Sequence, residues 1–212
     1  MVNIHISAPP GMGKTSFCLV TSRTVLDEDG RVFWISGDKL NHERFSQIMS
    51  KIQLTKASKF HLLSFEDNSI PNNGFEDIIN QLIRMCSSLE STKLVVIDGW
   101  DSNMNSYDKK DRIANMSSLV EKSNDLFDIF ITSLSYENAG DSSQKYNIRA
   151  QKEIEKLGFE SWLISENPSK EGVRTITKPH EELNFIMGST AVSYTHLRAH
   201  ETKANLVCRL LL

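Results

Sequence analysis

Val2 to Ser7 alternates apolar and polar residues, and the chain then enters Ala8-Pro9-Pro10-Gly11-Met12-Gly13. Beyond it, Phe17, Val20 and Val25 recur at helical spacing up to Gly30. A strand that passes through a glycine turn straight into a helix constrains the fold more than any other feature here. The helix has to pack back across a sheet, and the next strand runs parallel to the first. The rest of the chain keeps that alternation. Strands are predicted at RVFWIS, KFHLLSF, KLVVIDG and DIFITSLS, and helices at NHERFSQIMSKIQ (with Asn41 as N-cap), PNNGFEDIINQLIRMCSSLE, KDRIANMSSLVEKSNDL and IRAQKEIEKLG. LVVI is continuously apolar, as expected of a strand buried on both faces. ESWLISEN and GVRTITKP, separated by a turn, close the pattern as an antiparallel hairpin. The expected class is α/β, a mostly parallel central sheet flanked by helices with a C-terminal antiparallel hairpin. One domain over residues 1–190 accommodates all of it.

The turn itself has chemistry. Ala8, four residues, then Gly13-Lys14-Thr15 fits the phosphate-loop pattern, with Ala8 in place of its first glycine. Gly11 and Gly13 let backbone amides converge at a helix N-terminus, where the helix dipole favours an anion. The expected cradle runs from Ala8 through Pro9, Pro10, Gly11, Met12, Gly13, Lys14 and Thr15 to Ser16. Lys14 supplies a charge for the β- and γ-phosphates, and the Thr15 hydroxyl is a ligand for Mg2+. Asp98, at the end of the LVVID strand, is the matching carboxylate for the metal. Asp101 lies beyond the strand end and is the weaker candidate. The expected ligand is ATP with Mg2+, since no Asn-Lys-x-Asp guanine reader occurs in the chain.

The 212 residues carry 24 Lys+Arg and 27 Asp+Glu, a net charge of −3, which disfavours a general polyanion binder. No apolar run approaches the roughly 18 residues of a membrane helix, so no membrane partner is expected. The first residues lack the basic and apolar regions of a secretory signal. Cys18, Cys86 and Cys208 show no metal-ligand spacing. These features point to a cytoplasmic protein.

WISGDKLNHERFSQI, Trp34 to Ile48, resembles the segment after the second strand of RecA-like recombinases, most of all their archaeal RadB branch. Asp38 falls at that family's catalytic Glu, and Glu43-Arg44-Phe45 at its Glu-Arg-apolar triplet. The loop style, the separation of Lys14 from Asp98 and the closing hairpin are similar as well, so the likeness covers Val2 to about Lys178. The resemblance implies a RecA-like P-loop ATPase core acting in DNA recombination or repair, with weak Mg-dependent hydrolysis. Lys14 and Asp38 would be its catalytic residues, Asp38 orienting or deprotonating the attacking water. It also implies single-stranded DNA, and a recombinase or other protein, as partners. One departure stands out. Where the family ends a strand in Thr-Asn-Gln, whose amide senses the γ-phosphate, this chain has Ser133 and Leu134. Two alternatives follow: a non-catalytic, ATP-gated regulator, and a small-molecule or nucleotide kinase. The kinase would need a lid with arginines, for which only Arg112, Arg149 and Arg174 are scattered candidates.

DNA contact is expected from Lys109, Lys110 and Arg112 beside Tyr107, and from Lys145 in the loop between Tyr136 and Tyr146. The bland reading of the first group is a solvated helix start. Trp100 could stack on a base or adenine, or simply pack. Residues 191–212 resemble a translated sequencing adaptor and are set apart as a non-native tail, which leaves the natural C-terminus beyond about Thr190 missing.

Overall fold

The computed structural model describes residues 2–65, 74–89, 91–105, 107–123, 126–138, 145–187 and 192–194. The predicted strand–loop–helix start is present: β1 (Asn3–Ala8) leads through the glycine turn into α1 (Lys14–Asp27). There follow β2 (Arg31–Ser36), α2 (His42–Met49), α3 (Leu54–Ala57), β3 (Phe60–Ser64), α4 (Phe75–Ser88), β4 (Thr92–Asp98) and α5 (Asp108–Ser123). The second half contains β5 (Asp128–Glu137), β6 (Tyr146–Ile148), α6 (Gln151–Glu155), β7 (Glu160–Glu166), β8 (Val173–Thr177), β9 (Glu182–Met187) and β10 (Val192–Tyr194).

Among the described residues the strands form one sheet in the order β10-β9-β8-β7-β1-β5-β4-β2-β3, with β6 appended to β5. From β3 to β7 every neighbouring pair is parallel. From β7 to β10 they are antiparallel. The protein is therefore α/β, with a mostly parallel sheet flanked by helices and antiparallel strands at its C-terminal edge. Alternate side chains of each central strand enter separate cores. Val32 and Trp34 face a core with Phe17, Leu19 and Phe130, while Phe33 and Ile35 face one with Ile79, Leu82, Met116 and Leu119. Burial on both sides explains why LVVI has no polar alternation.

Three elements differ from the sequence reading. The helix expected over NHERFSQIMSKIQ stops at Met49 and a separate turn of helix follows, although Asn41 does cap α2, its Oδ1 accepting from Arg44 N at 2.9 Å. The helix expected to begin at Ile148 starts at Gln151, because Tyr146–Ile148 pairs with the Ser135–Glu137 extension of β5 instead. The closing hairpin, β7 with β8, is continued by β9 and β10. β10 takes in the first residues of the segment set apart as a tail; 195–212 lie outside the described residues. No helix among the described residues is long and apolar enough to cross a membrane.

Candidate functional site

The site lies where β1, β4 and β5 end and α1 begins. Gly11 (φ 76°) and Gly13 (φ 90°) hold the left-handed conformation that residues with a Cβ avoid. Gly13 is the N-cap of α1. No side chain caps this helix and no acid lies in its first turn, so its leading amides are left for an outside acceptor. Lys14 Nζ donates to Ala8 O at 2.8 Å and Pro9 O at 3.3 Å, curling over the turn. Burial lowers the Lys14 pKa, against the pull of Asp98 and Asp101.

Thr15 Oγ1 donates to Asp98 Oδ2 at 2.9 Å, so the two residues read as metal ligands are in contact. Thr132 of β5, which the sequence reading missed, donates from Oγ1 to Asp98 Oδ1 at 2.7 Å and accepts from Gly99 N at 2.8 Å. Burial pushes the Asp98 carboxyl above the usual carboxylate range. Hydrogen bonds from Thr132 and Thr15 and the Lys14 charge oppose that push. The hydroxyl–carboxylate pair and the uncapped helix start suit a divalent cation bound with a polyphosphate: hard oxygen donors for the metal, amides and an ammonium for the anion.

Asp38 follows the end of β2, where Gly37 N donates to Asp98 O at 2.9 Å. Its Oδ2 accepts from Ser102 Oγ at 3.0 Å. Both Asp38 and Asp98 line a cleft of about 520 Å³, together with Gly13, Lys14, Thr15 and Arg44. A volume of that order holds a small organic ligand. Arg44 entered the sequence reading only through a resemblance. Its Nε donates to Ser16 Oγ at 3.0 Å, and its place one turn into a helix after Asp38 was the available signal. Arg174 of β8 also reaches the loop, Nη1 donating to Met12 O at 2.9 Å.

The remaining candidates divide. Asp101 turns to β5, accepting from Leu134 N at 3.2 Å and pairing with Arg149 at 3.0 Å; burial raises its pKa. Leu134 is 45% exposed and lines the cleft. Ser133 is buried in a polar chain, bonded to His5 Nε2 at 2.8 Å and donating to Ser7 Oγ at 3.1 Å. Burial depresses the His5 pKa to about 3. Trp100 packs, fully buried, edge-on to the His5 ring, and is no surface stacking platform.

Of the expected DNA contacts, Lys110 and Lys145 are exposed. Lys109 pairs with Glu153 at 2.6 Å. Arg112 requires a correction, since it is buried rather than solvated. Its Nη1 donates to Trp100 O at 2.7 Å and Ser102 O at 2.9 Å, and its guanidinium lies against the rings of Phe65 and Phe75.

Comparison with protein-family models gives no match, and comparison with curated proteins gives none either.

Proposed function

We propose that the cleft binds ATP with Mg2+ and that the chain is a RecA-like P-loop protein acting in DNA recombination or repair, with weak ATP hydrolysis. The observation that carries this reading is the contact of Thr15 and Asp98 beneath an uncapped, glycine-led helix start. Bound Mg2+ would neutralise phosphate charge, with Thr15 and Asp98 as the residues that hold it. The α1 amides and Lys14 bind the phosphates, and being fixed in place they stabilise charge as it develops there. Thr132 keeps Asp98 oriented. Asp38, across the cleft, is the carboxylate suited to orient or deprotonate a water. Lys110, Lys145, Tyr107 and Tyr136 are exposed cations and aromatics suited to a single strand of DNA.

Leu134 favours a second reading. An apolar side chain lines the cleft where the RecA-like family carries an amide, and so offers no hydrogen bond to a phosphate. A chain that binds ATP and signals to a protein partner without turnover fits that substitution. Titration of the full chain with a fluorescent ATP analogue and Mg2+ tests the shared premise. Saturable binding that Lys14→Ala weakens by about 10- to 100-fold, from 1.5–3 kcal/mol for hydrogen bonds to a charged group, is the expected result. Equal affinity in the variant would refute both readings.

A further inference from the structure

Asp38 and Ser102 are far apart in sequence, yet Ser102 Oγ donates to Asp38 Oδ2 at 3.0 Å and both residues line the cleft. The contact is built into the loop after β4. Gly99 has φ 76°, and a Cβ there would collide with the Ser102 hydroxyl. Ser102 thus fills the space that a side chain directly after Asp98 would occupy. Its own position is fixed from two sides. Ser102 N donates to Gly99 O at 2.9 Å, and the buried Arg112 guanidinium donates to the carbonyls of Trp100 and Ser102. Arg112 is in turn seated on Phe65 and Phe75. An exposed carboxylate on a turn would otherwise sample several rotamers. Here one oxygen is tied to a hydroxyl whose backbone is clamped.

We propose that Ser102 is the positioning residue for Asp38, holding Oδ2 so that Oδ1 is presented to the attacking water. This rests on the hydrolytic reading above. In that reaction the water oxygen forms a bond to the γ-phosphorus, and the bond from that phosphorus to the bridging oxygen breaks, its electron pair leaving with ADP. The water proton passes to the Asp38 carboxylate and then to solvent. Asp is one methylene shorter than the Glu of the family this chain resembles. Its reach therefore depends on orientation, and a misplacement of about 1 Å costs on the order of a hundredfold. Ser102 supplies the constraint through a hydrogen bond to a charged acceptor, without touching the nucleotide.

The test is a double-mutant cycle on the full chain, reading ATP turnover and, separately, affinity for a fluorescent ATP analogue. Ser102→Ala is expected to lower kcat about tenfold or more and to leave analogue affinity and KM within about twofold. In an Asp38→Ala background the same substitution is expected to change kcat less than twofold, because the group it positions is gone. Unchanged kcat in Ser102→Ala, or an equal loss in both backgrounds, would overturn the proposal while leaving the ATPase reading intact. Wild-type turnover no greater than that of Lys14→Ala would overturn both together.

Discussion

Thr15 Oγ1 lies 2.9 Å from Asp98 Oδ2, although 83 residues separate them. The parallel order β1-β5-β4 puts the end of β4 one strand away from the glycine turn, and Thr132 of the intervening β5 completes the contact. Ligand crevices in open α/β sheets form beyond the carboxyl ends of the strands, where this set lies.

Asp98 is held against the preference of a buried carboxylate. Its pKa is raised above 3.8 in the folded chain, so the folded state binds more protons than the unfolded state between the two values. Stability therefore falls as pH rises from about 3.8 through the folded pKa, and stays at the lower level above it. Asp98→Asn is expected to be more stable than wild type at pH 7 without Mg2+, on the order of 1 kcal/mol, while losing Mg-dependent turnover. Denaturant midpoints against pH check this; the gain should shrink on acidification.

His5 gives the opposite slope. Its folded pKa of about 3 lies below the ordinary 6.5, so the unfolded chain takes up a proton in that window and the folded chain does not. Stability is full above pH 6.5 and is lost on acidification toward pH 3, by about 3 kcal/mol between pH 6.5 and 4. His5→Gln should flatten that part of the acid limb by up to one proton, as read from urea midpoints.

Arg112→Met leaves the carbonyls of Trp100 and Ser102 without their buried donor. An expected loss of about 2–3 kcal/mol in unfolding free energy follows. Arg112→Lys should not restore it, because a lysine cannot reproduce the planar fork that serves both carbonyls while lying on the Phe65 and Phe75 rings.

Lys110→Ala with Lys145→Ala should leave stability within about 0.5 kcal/mol, since both residues are exposed. The pair should weaken single-stranded DNA binding and reduce its salt slope by about one. Unchanged salt dependence would place the DNA contact elsewhere.

How much of this was legible depended on whether partners lay near a motif. The glycine turn, Lys14, Thr15 and Asp98 could be read because a strand–loop–helix start and an apolar strand ending in an acid each have a local pattern. Thr132 and Ser102 could not, since a hydroxyl in FITS or WDS carries no sign that topology will bring it to a carboxylate. Arg112 was read as a surface cation from its neighbours Lys109 and Lys110. Its spacing to Met116 and Leu119 puts it on the buried stripe of α5, a signal that local charge masked. β6 was taken into a helix because its pairing with β5 is non-local, and three residues are too few to show a strand period.

The most direct measurement is steady-state ATP turnover by the full chain with Mg2+, with and without single-stranded DNA, against Lys14→Ala. The account predicts slow turnover that DNA stimulates and that the variant abolishes. Turnover indistinguishable from that of Lys14→Ala, with DNA or without, would contradict it.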